Sequence, residues 1–159
     1  MGKVYADVML AKLARWLRFA GIKVYDTPFQ EDSKLLQLVK KSRATLLTSD
    51  VELSKRVRKA GAKVFLIQGG SIEKQVAYVA NALKVKINSG QAFICPVCNS
   101  PIRKISKKFV KGMVPSDAYE HHDLFYYCKK CGKTYWHGTH WKRIKSRLRR
   151  AEKIAEEKG

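Results

Sequence analysis

From Val4 to Gly21 the chain passes from a short apolar run through one acidic residue, Asp7, into an apolar pattern of helical period. Leu10, Leu13, Ala14 and Leu17 recur on one face, while Met9, Trp16 and Ala20 extend the apolar surface round a second, so the pattern predicts a helix covered on most sides. Gly21 supplies a stop, and Lys23 to Tyr25 reads as a short strand ending at Asp26, with a turn at Thr27 and Pro28. Asp32 or Ser33 can cap a helix whose apolar positions are Leu35, Leu36, Leu38 and Val39. The run ATLLTSD is too short for a helix and apolar enough for a buried strand, and it terminates in Asp50. Val51 to Ala60 then reads as a helix stopped by Gly61, and Lys63 to Ile67 as a strand. After Gly69 and Gly70, Ser71 caps a helix with Ile72, Val76, Val79, Ala80 and Leu83 on one face. Short strands alternating with helices imply β-α-β units. Residues 1–88 therefore read as an α/β domain with a mostly parallel sheet flanked by helices.

The pattern changes after Asn88, Ser89 and Gly90. Residues 91–141 hold all four Cys, all four His and nine of the sixteen aromatics, which marks a separate module. Residues 142–159 read as a helix with a narrow apolar stripe, Ile144, Leu148, Ala151 and Ala155, among basic residues. That helix either docks by its stripe or lines a groove for a polyanion.

Cys95-Pro-Val-Cys98 and Cys128-Lys-Lys-Cys131 are two CxxC knuckles. Each presents two thiolates to one ion, and together they form a four-thiolate tetrahedral site suited to structural Zn2+. The 29 residues between the knuckles leave room for an inserted loop. Around it, Arg103, Lys104, Lys107, Lys108, Lys111, Lys129, Lys130 and Lys133 interleave with Phe109, Phe125, Tyr126, Tyr127, Tyr135, Trp136 and Trp141. Basic groups bind phosphates and exposed rings stack on unpaired bases, although most of these rings are expected to form the module's small core. His121, His122, His137 and His140 are expected to be solvated or hydrogen-bonded, since four Cys already complete a site.

Charge widens the inference from module to partner. The chain has 33 Lys and Arg against 13 Asp and Glu, a formal net charge of +20. The excess is even, with 17 basic and 7 acidic side chains in residues 1–90 and 16 and 6 beyond. A polyanion is the expected partner. No apolar run approaches the ~20 residues of a membrane span, so RNA is favoured over membrane. The lack of a charged segment leading into an apolar secretory core points to the cytoplasm, where paired Cys bind metal more readily than they form disulfides.

Asp7, Asp32 and Asp50 lie far apart in sequence, yet each follows or faces the end of an expected strand. In a parallel sheet those ends share one edge, so the carboxylates can converge there. Mg2+ or Mn2+ relieves their repulsion with hard oxygen ligands and can activate a water for phosphodiester hydrolysis. Plainer readings stand beside these. Asp7 suits a helix N-cap, and Asp26 and Glu52, the candidates for an additional carboxylate, also suit a turn and a helical first turn. Arg15 and Arg18 can clamp a scissile phosphate, or occupy a solvated face or an ion pair with a nearby acid.

The stretches DVMLAKLARWLRFAG, EDSKLL and LLTSD followed by Glu52-Leu53, with the paired knuckles and YWHGTHW, resemble the Mut-seven C-terminal ribonuclease family to about Trp141. The resemblance implies a PIN-like nuclease domain with a C-terminal zinc ribbon. It also implies metal-dependent endoribonuclease activity, with Asp7, Asp32 and Asp50 on the acidic positions. One departure is Lys23, where relatives commonly carry Asp. The domain combination is similar as well to the Nob-type nucleases of small-subunit rRNA maturation, which brings ribosomal RNA and ribosomal particles into consideration. The leading expectation is a cytoplasmic Mg2+- or Mn2+-dependent endoribonuclease whose ribbon and basic tail hold RNA. The second is a non-catalytic RNA-binding factor. The ribbon argues against a third, a toxin built from a bare PIN domain.

Overall fold

The structure, a computed structural model, describes residues 2–90 and 94–159. The expected start of the second module at residue 91, and Phe93 among its aromatics, lie outside the described residues. β1 (Val4–Ala6) is buried along its whole length, as a strand with both faces covered must be. It pairs in parallel with β2 (Tyr25–Asp26) on one side and β3 (Thr45–Thr48) on the other, and β3 pairs in parallel with β4 (Lys63–Leu66). The strand order is β2-β1-β3-β4.

Alternation along the strands sends side chains to two helical layers. Val4, Ala6 and Leu47 join Leu13, Ala14 and Leu17 of α1 (Ala11–Phe19) and Val76 and Val79 of α4 (Ile72–Leu83). Tyr5, Leu46 and Val64 join Leu35 and Val39 of α2 (Asp32–Ser42) and Leu53 and Val57 of α3 (Val51–Lys59). The result is the expected α/β architecture, with a parallel sheet between helices. Two local details differ. A 3-10 turn, Val8–Leu10, precedes α1, and β2 begins at Tyr25 instead of Lys23. The backbone of Val24 is already committed, its N–H donating to Asn99 Oδ1 and its carbonyl accepting from Arg18.

The cysteine module is a three-stranded antiparallel sheet of β5 (Arg103–Ile105), β6 (Phe125–Tyr127) and β7 (Thr134–Trp136), in that order. Its inserted loop carries the short helix α5 (Ser116–His121). The terminal helix α6 (Thr139–Lys158) starts at Thr139, ahead of Lys142, and lays Ile144, Leu148 and Ala151 into the same core as α1 and α4. Arg147 fastens it, with Nε donating to Glu73 Oε1 at 2.6 Å and the guanidinium 4.8 Å from the Trp16 ring centroid. The apolar stripe of α6 is thus a docking surface, which leaves Lys142, Arg143, Arg149 and Arg150 exposed. Among the described residues no helix is long and apolar enough to cross a membrane.

Candidate functional site

The chain steps from β1 to β2 on one side and then returns to β3 on the other, so the strand order reverses between β1 and β3. Open α/β sheets bind ligands in the crevice at the carboxyl ends of such strands. Asp7 directly follows β1, and Asp50 lies just beyond β3. Thr48, fully buried at the end of β3, ties them together. Its hydroxyl donates to Asp7 Oδ2 at 3.0 Å and its oxygen accepts from the Asp50 N–H at 3.1 Å. Each acid also caps the element it begins: Asp7 Oδ1 accepts from Val8 N at 2.7 Å, and Asp50 Oδ1 from Leu53 N at 3.0 Å. The cap at Asp7 is therefore present, and its carboxylate stands at the switch point at the same time.

Asp32, at the first turn of α2, accepts from Arg56 Nη1 of α3 at 3.1 Å. Its carboxylate does not join those of Asp7 and Asp50 in a tight three-acid cage. Among the described residues, the group of three or more candidate ligands whose atoms all lie within 4.8 Å of one another is the four-cysteine set. Asp26 ends β2 opposite Ala6, next to Asp7, and pairs with Arg18 at 3.0 Å. Glu52 is exposed and pairs with Lys55 at 3.4 Å. Lys23 precedes β2 at the end away from Asp26, with its ammonium 5.7 Å from the Tyr25 ring centroid.

Arg15 is exposed on α1, whereas Arg18 is 3% exposed and takes the ion-pair alternative. Its Nε donates to the Val24 carbonyl at 2.8 Å, and Nη1 to the carbonyls of Pro96 and Val97 at 3.1 and 3.3 Å. Pro96 and Val97 form the first cysteine knuckle, so one buried guanidinium joins α1, β2 and the ribbon. Neither this role nor that of Thr48 follows from the sequence pattern. The only signal for Thr48 is a polar residue at the end of an otherwise apolar strand.

The four thiols are unbridged. Cys95 and Cys131 sulfurs are 3.6 Å apart, and those of Cys98 and Cys128 are 3.3 Å apart. Four sulfurs at ~2.3 Å from a tetrahedral ion would be separated by about 3.8 Å, so the set fits a metal such as zinc. Each knuckle turn is closed by backbone bonds, Cys95 N to Ser100 O at 2.7 Å and Cys128 N to Lys133 O at 2.9 Å. Burial pushes the Cys128 thiol up to about 12, whereas at Cys98 bonds from Ser100 overcome burial and bring it to about 6. A bound cation would ionise all four together. Tyr135 Oη lies 3.0 Å from Cys95 Sγ, and burial first, then that contact, raises its hydroxyl well above the ordinary value. Among the histidines, His121 bonds to Asp117 and His137 lies between the Tyr126 and Trp141 rings.

A family model described as the Mut7-C RNAse domain matches residues 2–148. The chain belongs to this family. Comparison with curated proteins and with solved structures returns no match. The Mut7-C match runs through both the α/β sheet and the ribbon and reaches Leu148 of the docked helix. It implies a ribonuclease, and RNA as the substrate.

Proposed function

We propose that this Mut7-C domain is an endoribonuclease that hydrolyses RNA phosphodiester bonds at the crevice between β1 and β3. The observation that carries the reading is the placement of Asp7 and Asp50 at the switch point, joined through Thr48. Their hard oxygen donors suit Mg2+ or Mn2+; Mg2+ in particular is commonly held by one or two carboxylates plus substrate phosphate, its remaining positions filled by water. Asp32, with Asp26 and Glu52 nearby in the chain's acidic set, supplies further carboxylate at the same edge of the sheet. When bound, a divalent ion would supply Lewis acidity and a more acidic water for in-line attack. The chain's own part is orientation. Thr48 fixes Asp7, the α3 first turn fixes Asp50, and exposed Arg15 offers a cation to the phosphate. Zinc held by the four thiolates would have no open position, which would make it structural. Four unbridged thiols fit a reducing cytoplasm.

The test is cleavage of RNA by zinc-loaded protein with and without Mg2+ or Mn2+, followed by analysis of the new ends. Attack by water predicts metal-dependent scission without a 2′,3′-cyclic phosphate. Metal-independent scission that leaves a cyclic phosphate would contradict the reading, because the RNA's own 2′-hydroxyl would then be the nucleophile. A second reading, a non-catalytic factor on ribosomal RNA, is favoured by the pairing of Asp32 with Arg56. It predicts cofractionation with ribosomal particles, unaltered by Asp7→Asn, and no scission under any metal.

A further inference from the structure

Between α1 and the ribbon runs a groove of about 1030 Å3. Lys12, Arg15, Trp16 and Phe19 of α1 line one side, Lys133 and Trp136 of the ribbon line another, and Trp141 enters from the start of α6. All three tryptophans of the chain line it, and each is half-buried. The rings of Trp16 and Trp141 are held in one interlocked set, and Trp136 packs separately on Phe125 at 6.3 Å. Tyr126, His137 and Trp141 stack with centroids 5.3 and 5.2 Å apart, and Phe19 meets both Trp16 and Trp141 edge-on at 5.9 and 6.2 Å.

The charge of the lining is one-sided. Lys12, Arg15 and Lys133 are exposed, and the one carboxylate among the lining residues, Asp26, is already paired with Arg18. Cations beside accessible rings are the chemistry that recognises unpaired RNA, phosphates going to Lys and Arg and bases to the rings. A duplex keeps its base faces in its own stack and gains nothing from the rings. The groove also leads to the acidic edge, because Asp26 lines it and stands opposite Ala6, next to Asp7.

We propose that this groove is the track for an unpaired segment of RNA, its bases stacked against the tryptophan-lined walls and its backbone carried past Lys12 and Arg15 toward Asp7. The final step, delivery to a cutting site, rests on the ribonuclease reading above; the binding itself does not. The substrate class is thereby single-stranded or locally unpaired RNA.

Because every tryptophan lines the groove, intrinsic fluorescence reports on it. The experiment titrates zinc-loaded protein, without added Mg2+ or Mn2+, with an unstructured oligoribonucleotide of about twelve nucleotides and with a duplex of equal length. Saturable quenching by the single strand and little by the duplex is expected. Lys12→Glu with Lys133→Glu, both at exposed positions, should weaken single-strand binding at least about tenfold and lower the salt slope by about 1.4. Trp136→Leu should weaken it by roughly 5- to 150-fold, the range of one base stack. Absence of quenching, equal quenching by the duplex, or affinity of the charge-reversed variant within about twofold of wild type would overturn the proposal. If Asp7→Asn abolishes scission while the charge reversal leaves binding unchanged, the groove fails and the cutting edge stands. If the groove variants lose binding while Asp7→Asn cuts normally, the groove stands and the catalytic assignment fails.

Discussion

Replacing Arg18 with Met keeps an unbranched apolar stem inside α1 and removes one guanidinium that serves three elements. The side chain is buried; its bonds to the carbonyls of Val24 and Pro96 have no solvent to replace them, whereas the bond to Val97 is part-buried. A buried polar group left without its partner costs ~1–3 kcal/mol, so the two buried carbonyls set the loss at about 2–5 kcal/mol once relaxation is allowed for. The pair with Asp26 adds little, since that carboxylate is 65% exposed. Such a loss is a large share of the ~5–15 kcal/mol that holds a domain folded. Denaturant unfolding followed by circular dichroism, with zinc release read in parallel by a chromogenic chelator, measures it. Wild type should lose sheet, helix and metal in one transition. The variant should release zinc earlier than it loses helix, because the ribbon is unfastened from β2. Arg18→Lys should recover only part of the loss, since one ammonium cannot span carbonyls on both modules. A change under ~1 kcal/mol with coincident transitions would refute the fastening role.

Three further outcomes follow from the same geometry. Glu73→Gln should destabilise the docking of α6 by about 1–2 kcal/mol, measured by thermal melting at neutral pH, because Arg147 loses its charged acceptor. The Arg147 bond holds the Glu73 carboxyl below its ordinary value of 4.5, so its contribution is full above that pH and fades as pH falls through the lowered value; the variant's acid-side stability should be correspondingly flatter. Metal analysis should find one zinc per chain in wild type. Cys128→Ser should abolish it and melt the ribbon, as loss of circular dichroism and tryptophan shift will show. Thr48→Val should cut RNA scission by about 10- to 100-fold, the cost of losing a supporting hydrogen bond behind the metal ligand proposed at Asp7, with Asp7 and Asp50 themselves unchanged.

What could be read from sequence was what burial enforces locally. Leu13, Ala14 and Leu17, or Leu46 and Leu47, repeat with the period of their element because each must reach a covered face. The two CxxC pairs were legible because a four-thiolate site dictates close spacing within each pair. The ion pair of Arg18 was among the readings the sequence offered, but its bridge to the ribbon was not legible, since those partners are 78 and 79 residues away. The 3-10 turn after Asp7 was hidden for a related reason: Val8 and Leu10 fit a helix pattern, and only the cap bonds decide the tighter geometry. The basic run places the start of the last helix at Lys142, whereas the helix starts behind Gly138 at Thr139. That Asp7 and Asp50 share the carboxyl edge follows from alternating strands and helices, whereas their place at the switch point requires the strand order, which no periodicity encodes.

The most direct measurement is the rate of RNA scission by wild type and by Asp7→Asn at saturating Mg2+, with both proteins carrying zinc and showing the same circular dichroism. Removing a carboxylate at the switch point should lower the rate by more than the ~10- to 100-fold expected for a supporting residue. Equal rates for the two proteins would contradict the account, because the scission would then arise somewhere other than the crevice between β1 and β3.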